Sequence, residues 1–266
     1  MICPICADMG KKIFQGKIMH KYTISYYQCP VCGFVYTEEP YWLEEAYTDS
    51  ITNIDTGMMQ RTIDNVLTAN AIVHNFFDTK ASFLDYGGGY GIFTRMMRDL
   101  GYNWLWYDKY SDNYAARGFE YKRQEKIELI TAFELFEHFD RPIEEITHLF
   151  TISRSVLFST LIYDQDFAYK DFEKWWYYVP ETGQHIGFYS QRTLEYIARK
   201  FHVFYYKISD GMHLFSEHKI NSVQFNILIK SKVFKLIQYL GYFARRQHGL
   251  AEQDMKTILS KYEEKS

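Results

Sequence analysis

A glycine-rich stretch that follows a short apolar run places the strongest constraint on the fold. The segment "FLDYGGGYGIF", residues 83–93, has glycines at positions 87, 88, 89 and 91, and a helical pattern follows it. Glycine adopts left-handed backbone angles and lets a ligand approach the chain, and a helix N-terminus favours negative charge. The stretch therefore predicts a strand, a ligand-binding turn and a helix.

Short β-rich runs alternate with helical patterns from residue 81 to about residue 230. The strand-like runs are "SFLDY", "NWLWYD", "IELITAFE" and "SVLFST", and the helical ones are "GIFTRMMRDLG", "SDNYAARG", "RPIEEITHLFT" and "SQRTLEYIARKF", with Ser190 as the N-cap of the last. Such alternation predicts an α/β fold with a doubly wound, mostly parallel sheet. Two successive runs, "HVFYYKI" and "SVQFNILI", predict an antiparallel hairpin at its end.

The chain of 266 residues is long enough for one main domain and a small appendage. We expect a small hairpin module in residues 1–40, a helical linker or lid in 41–80, the core in 81–232 and a helical tail in 233–266.

Composition limits the partners of the protein. The net charge of −3 argues against a protein that coats nucleic acid, and no apolar run reaches the length of a membrane helix. The N-terminus has no export signal. We therefore expect a soluble, cytoplasmic protein with no membrane partner.

All four cysteines fall in two C-x-x-C pairs, Cys3 with Cys6 and Cys29 with Cys32. This spacing favours a structural zinc ion held by four thiolates. Two disulfides are disfavoured in a reducing cytoplasm. A redox-active C-x-x-C site is also disfavoured, because it would need one motif beside a βαβ unit rather than two motifs in a hairpin. A closed site of this kind would stabilise a module too small to fold on its own core.

Three ligands compete for the glycine turn. The dinucleotide pattern G-x-G-x-x-G fails, because its third position would be Ile92 or Thr94, and the phosphate-loop lysine is missing. The order present is acid-x-G-x-G-x-G, from Asp85 to Gly91. It resembles motif I of the class I S-adenosylmethionine-dependent methyltransferases.

Two further segments match this family in order. "NWLWYD" ends in Asp108, and "ITAFELFEHFDRP" resembles the segment that begins at the family's fourth strand. The resemblance implies a seven-stranded Rossmann-like sheet that binds S-adenosylmethionine. In it Asp85 lies near the methionine amine, Asp108 accepts the ribose hydroxyls, and further cofactor contacts come from Gly87, Gly88, Gly89, Gly91, Phe133 and Glu134.

Methyl transfer to a hydroxyl needs alignment and a base that removes the proton. His138 and Glu137 follow strand four, and His185 lies in "WWYYVPETGQHIGFYS", which resembles a family segment after strand five. These three are the candidate catalytic residues. The alternative for His138 is a simple bond to a neighbouring loop, and for the aromatic run before His185 it is ordinary packing.

The cysteine-containing module of residues 1–40 looks like a zinc ribbon. A zinc ribbon fused to the N-terminus of this core is an arrangement similar to that of bacterial methyltransferases of sugar and surface-polysaccharide pathways. The resemblance implies O-methylation of a small metabolite or a sugar or glycan precursor, with a small-molecule or nucleotide-sugar acceptor. The alternatives are an RNA methyltransferase that uses the ribbon for RNA contact, and a non-catalytic interaction module. The oligomeric state is left open.

Overall fold

The N-terminal segment forms an antiparallel sheet around the two cysteine pairs. In the computed structural model, residues 1–48, 56–164, 172, 174–230, 234–246 and 249–263 are described. The first elements are β1 (Lys11–Ile18), β2 (Tyr22–Gln28), β3 (Val35–Thr37) and the short helix α1 (Leu43–Ala46). Strand β2 pairs with both β1 and β3. The hairpin predicted for residues 1–40 is present, whereas residues 49–55 of the expected linker lie outside the described residues.

The glycine turn lies in a parallel βαβ arrangement. The elements are α2 (Met58–Phe76), β4 (Ser82–Tyr86), α3 (Ile92–Asp99), β5 (Asn103–Tyr107) and β6 (Ile127–Ala132). Strand β4 is central, since it pairs in parallel with both β5 and β6. The register places Asp85 beside Trp106 on one strand and Thr131 on the other. The carboxyl end of β4 therefore carries Asp85 directly into the turn.

The following elements are α4 (Pro142–Ile152), β7 (Val156–Ser159), β8 (Gly187–Phe188), α5 (Gln191–Phe201), β9 (Phe204–Lys207) and β10 (Met212–Ser216). Strand β8 pairs with β3, so it completes a four-stranded sheet in the order β1-β2-β3-β8. Strand β10 is antiparallel to both β7 and β9. The predicted Ser190 cap forms a capping box with Thr193 at the start of α5.

Three helices end the described chain: α6 (Ser222–Lys230), α7 (Phe234–Arg246) and α8 (Ala251–Glu263). The prediction of a strand in "SVQFNILI" is wrong, because these residues form α6. Phe225 and Leu228 are buried while Val223 and Ile227 are exposed, which is helical spacing rather than alternation. The amides of Val223 and Gln224 donate to Asn221 Oδ1 and start the helix. The terminal hairpin exists, but β9 and β10 form it.

Among the described residues, the second sheet is mostly parallel and has six strands in the order β5-β4-β6-β7-β10-β9, one fewer than expected. Beyond β5, a single parallel bridge joins Trp106 and Glu120. Residues 111–118, predicted as a helix, form turns instead. Asn113 Oδ1 accepts the amide of Ala116 there, and such a local bond competes with a helix. The short, turn-rich segment leaves too few extended residues for a seventh strand.

The structure divides into two units, the first comprising residues 1–52 and 133–218 and the second residues 53–132 and 219–266. In the first unit an aromatic cluster joins the ribbon to later residues, with Tyr26, Phe172, Tyr178 and Phe188 in mutual contact. In the second unit Phe83 stacks on Trp104 at a centroid distance of 4.6 Å. Burying one such ring stabilises the folded state by roughly 1.5–3 kcal/mol. Within the described residues, no helix has the length and apolar character of a membrane span.

Candidate functional site

The glycine turn of the second unit needs glycine at each of its four positions. Gly87, Gly89 and Gly91 have φ values of 74°, 51° and 80°, in the left-handed region. Gly88 is required for space, since a Cβ there would lie 2.7 Å from Asp85 Oδ2 and 2.6 Å from Trp106 Cδ1. The turn thus presents bare backbone next to a buried carboxyl group.

Asp85 is buried at the base of this turn with 3% of its surface exposed. Thr94 and Thr131 donate their hydroxyls to its two carboxyl oxygens, both at 3.0 Å. Burial raises the pKa of Asp85 to about 7, and the nearby Asp108 charge adds to this, while the two hydroxyls act in the opposite direction. A cationic ligand group at this position would favour the ionised carboxylate.

Asp108 follows β5 directly and fixes the turn from the other side. Its Oδ2 accepts the Gly89 amide at 2.9 Å, and its Oδ1 accepts the amides of Tyr110 and Ser111 at 2.7 and 2.8 Å. The Trp106 indole donates to the Gly89 carbonyl at 2.9 Å. A carboxylate offers about four lone-pair positions, so this partly exposed one retains acceptor capacity for a ligand hydroxyl.

In the first unit, Glu134 has a strained backbone just after β6. Its φ is 50°, which is uncommon for a residue other than glycine. The Ser159 hydroxyl accepts the Glu134 amide at 2.7 Å and donates to Glu134 Oε1 at 2.6 Å. Phe133 is partly buried beside it. Strain held in place by such bonds is typical of ligand-binding positions.

Glu137, His138 and His185 lie together in the first unit. Glu137 and His138 belong to a 3-10 helix, Phe136–His138. His185 lies near them because the amide of the next residue, Ile186, donates to the Glu137 carbonyl at 3.0 Å. One nitrogen or oxygen from each of the three side chains lies within 4.8 Å of the others. The two imidazole centroids are 4.9 Å apart. The structure therefore brings the three candidate catalytic residues into one cluster.

Burial shifts the ionisation of two members of this cluster in opposite directions. Glu137 has no exposed surface, and its burial together with the Glu134 charge raises the pKa of Glu137. Burial lowers the pKa of His138 to about 4, against the opposing effect of the Gln184 carbonyl. Near neutral pH the imidazole of His138 is therefore uncharged.

Several residues that support these positions were not singled out from the sequence as site residues. They are Thr94, Thr131, Ser159 and Gln184, each of which binds a candidate residue. Thr131 shares a register position with Asp85, so strand pairing was the missing signal. The aromatic run before His185 is mixed, since Tyr177 is buried whereas Trp176 is 74% exposed.

The four cysteines of the ribbon form a second cluster in the first unit. All four are free thiols, and their sulfur atoms lie within 4.8 Å of one another, with Cys3–Cys32 at 3.5 Å and Cys6–Cys29 at 3.3 Å. Tetrahedral zinc with Zn–S bonds of about 2.3 Å separates its sulfurs by roughly 3.8 Å. The donor set and its spacing fit a zinc ion.

A family model described as "Methyltransferase domain" matches residues 59–202, more than half of the chain. The chain therefore belongs to this family. Its mostly parallel α/β sheet and its acid-and-glycine turn accord with membership of this methyltransferase family. No curated protein shows significant sequence similarity to it.

Three of the solved structures that part of this chain resembles are the following. CalO1, a methyltransferase in calicheamicin biosynthesis, is 12% identical over 66% of this chain and 61% of its own, with a TM-score of 0.41. Magnesium protoporphyrin IX methyltransferase (ChlM) from Synechocystis PCC 6803 is 16% identical over 65% and 87%, with a TM-score of 0.40. WbdD is 17% identical over 69% of this chain and 44% of its own, with a TM-score of 0.38. Identities and scores this low transfer no substrate to this chain.

Proposed function

We propose that the protein transfers the methyl group of S-adenosylmethionine to an oxygen atom of a small metabolite, such as a sugar or glycan precursor. The observation that carries the cofactor assignment is the arrangement of Asp85, the glycine turn and Asp108. The buried carboxyl group suits the ammonium of this cofactor, the bare backbone lets its methionine portion and ribose lie against the chain, and Asp108 can accept the ribose hydroxyls. Phe133 and Glu134 are proposed as additional cofactor contacts.

The cluster of Glu137, His138 and His185 is proposed to act on the acceptor hydroxyl. His138 Nδ1 lies 3.0 Å from the Gln184 carbonyl and His185 Nδ1 lies 2.7 Å from the Tyr177 carbonyl. A carbonyl only accepts, so both Nδ1 atoms carry a proton, and in the uncharged imidazole of His138 the Nε2 atom carries the lone pair. In methyl transfer the acceptor O–H loses its proton, the O–CH3 bond forms, and the S–CH3 bond breaks to release S-adenosylhomocysteine.

For the ribbon we propose a structural zinc ion on Cys3, Cys6, Cys29 and Cys32. Free thiols in this arrangement also support our proposal of a reducing, cytoplasmic location. The division into ribbon (1–40), linker (41–80), core (81–232) and tail (233–266) is likewise a proposal.

Calorimetric titration with S-adenosylmethionine tests the cofactor assignment. We expect saturable binding by the zinc-loaded protein and at least about tenfold weaker binding by Asp108→Ala, because a removed acceptor leaves the ribose hydroxyls without their partner. A matched control is Asp112→Ala, an exposed residue of the same loop. Binding that is equal in all three proteins would refute the Asp108 assignment, and no binding by any would refute the cofactor site.

The acceptor class is tested separately with radiolabelled S-adenosylmethionine and a panel of nucleotide sugars and simple glycosides. The His138→Asn variant should bind the cofactor as the wild type does but should transfer methyl groups at least about 100-fold more slowly. Transfer to nitrogen or carbon in the product would contradict the proposal of O-methylation.

A further inference from the structure

The Glu137 carboxyl group has an unusual environment. It has no exposed surface, and among the described residues no hydrogen bond of normal geometry reaches either of its oxygens, although the Tyr177 and Thr160 hydroxyls lie close enough to lower its pKa. The nearby hydroxyls of Tyr177 and Thr160 contact each other at 3.3 Å. An unpaired buried carboxyl group is costly unless a proton, a charge or a metal ion compensates it.

The two histidines next to it are oriented as metal ligands usually are. Each donates its Nδ1–H to a backbone carbonyl, His138 to Gln184 and His185 to Tyr177. Such a bond fixes the ring and leaves Nε2 as the basic nitrogen, and it is the common outer partner of a metal-bound histidine. Both tautomers are therefore set by the backbone before any ligand arrives.

The spacing of the three side chains also suits one ion. Ligand atoms on a single zinc-sized ion lie roughly 3–4 Å apart. One donor atom from each of Glu137, His138 and His185 lies within 4.8 Å of the others, so a small side-chain adjustment would bring them together. The peptide bond between Glu137 and His138 and the Ile186–Glu137 hydrogen bond hold the three on a common frame.

From the juxtaposition of the buried Glu137 carboxyl group, which no hydrogen bond of normal geometry satisfies, with two backbone-oriented imidazoles, we propose that these residues bind a divalent first-row transition-metal ion. Two nitrogens and one oxygen are ligands that Zn²⁺, Fe²⁺, Co²⁺ and Mn²⁺ accept. Unlike the four thiolates of the ribbon, three protein ligands leave a coordination position open. The site is thus suited to a reacting group rather than to structural support.

The role of this ion rests on the proposed function, although its binding does not. An acceptor hydroxyl at the open position would lose its proton more readily, because a divalent ion stabilises the oxyanion. The proton would leave to solvent, and the three side chains would then act on the acceptor through the metal. This specifies the acceptor as one with a hydroxyl able to coordinate a metal ion.

Cobalt titration of the full chain tests the site. The protein is purified with its ribbon zinc in place, treated with a mild chelator, and titrated with Co²⁺ while zinc content and visible absorption are recorded. We expect about one equivalent of zinc to remain and about one equivalent of Co²⁺ to bind. The cobalt spectrum should lack thiolate charge-transfer bands, because the new ligands are nitrogen and oxygen.

Two variants and one control locate the bound cobalt. Glu137→Gln and His185→Ala should weaken Co²⁺ binding at least about tenfold, whereas His148→Ala, an exposed histidine on α4, should leave it unchanged. Retained ribbon zinc and an unchanged circular dichroism spectrum show that a variant is folded. Absence of a saturable cobalt band in the wild type, or wild-type affinity in both variants, would overturn the proposal.

Cofactor binding, measured by calorimetry on the same samples, separates the two proposals. Cobalt binding without S-adenosylmethionine binding would remove the proposed function and leave the metal site. Cofactor binding without cobalt binding would remove the metal site only.

Discussion

At the residue scale, the candidate site contains a few residues whose burial or backbone conformation is unusual for their type. The Asp85 carboxyl group is almost completely buried and accepts hydrogen bonds from two threonine hydroxyls. Glu134 is a non-glycine residue in a left-handed conformation. Such costs are tolerated where a ligand later compensates them.

The stability of the protein should depend on pH through Asp85. Its folded pKa, about 7, is raised above the ordinary value of 3.8. The protonated form is therefore favoured in the folded state, so this contribution is complete below about pH 4 and is lost as pH rises through about 7. The free energy of unfolding of Asp85→Asn, measured in urea, should lack this pH-dependent contribution. Relative to the wild type, the variant should therefore gain up to about 4 kcal/mol of stability between pH 4 and pH 8. Parallel pH profiles for the two proteins would contradict the shift.

The glycine turn should tolerate no side chain at position 91. Gly91→Ala places a Cβ at φ 80° and 2.6 Å from Asn113 Oδ1, which should destabilise the fold by roughly 1–2 kcal/mol or more. The control Gly211→Ala has its nearest atom at 3.8 Å and no left-handed φ, so it should change stability by less than about 0.5 kcal/mol. Equal unfolding midpoints for the two variants in urea would argue against a strained turn.

At the element scale, helix α8 is attached to α3 by charge as well as by backbone bonding. Asp254 accepts from Arg98 Nε at 2.8 Å and from Nη2 at 2.6 Å, and both side chains are buried. The Leu250 amide donates to the Arg98 carbonyl at 3.0 Å. Arg95 Nη1 also lies 2.8 Å from Asp254 Oδ2, so α8 is held to α3 by two arginines that share one buried carboxylate. Breaking a buried pair leaves a charge uncompensated.

Loss of the Asp254 charge should be costly and specific. Asp254→Asn should destabilise the protein by roughly 3 kcal/mol, because Arg98 stays buried and charged. Glu252→Gln on the same helix removes an exposed pair with Lys256 and should cost less than about 0.5 kcal/mol. Thermal and urea unfolding of both variants measures the difference, and similar losses would contradict a special role for Asp254.

The ribbon strands should depend on the proposed zinc ion. Cys29→Ser should lose about one equivalent of zinc and should increase hydrogen exchange in β1, β2 and β3, since a zinc ion on the four cysteines would hold this sheet together at one end. Val31→Ala, a partly exposed position inside the same C-x-x-C pair, should keep both zinc and protection. Unchanged exchange in the serine variant would mean that the aromatic cluster alone holds the ribbon.

At the scale of the whole molecule, the net charge of the protein distinguishes a methyltransferase of small metabolites from an RNA methyltransferase. The net charge of −3 gives little general attraction to polyphosphates, in spite of the lysines between the cysteine pairs. We expect no salt-dependent binding of structured RNA in fluorescence anisotropy at physiological ionic strength. Tight binding that weakens steeply with added salt would favour an RNA substrate over a small metabolite.

Much of the fold followed from local patterns in the sequence. Strand β4, the turn at Gly87–Gly91 and helix α3 were predictable because glycine spacing and apolar periodicity act over a few residues. The capping box at Ser190 was predictable for the same reason. Residues 222–229 were not, because Val223, Phe225, Ile227 and Ile229 alternate as in a strand, and only burial of Phe225 and Leu228 shows a helix.

The sequence by itself determined the class of protein, because the order from Asp85 through Gly91 to Asp108 combines chemistry and spacing in one short stretch. Only the tertiary structure decided what surrounds those residues: Thr131 against Asp85, the left-handed Glu134 on Ser159, and His185 beside Glu137 and His138. These partners are separated by 25 to 48 residues along the chain. Strand register and loop packing bring them together, and no local propensity encodes either.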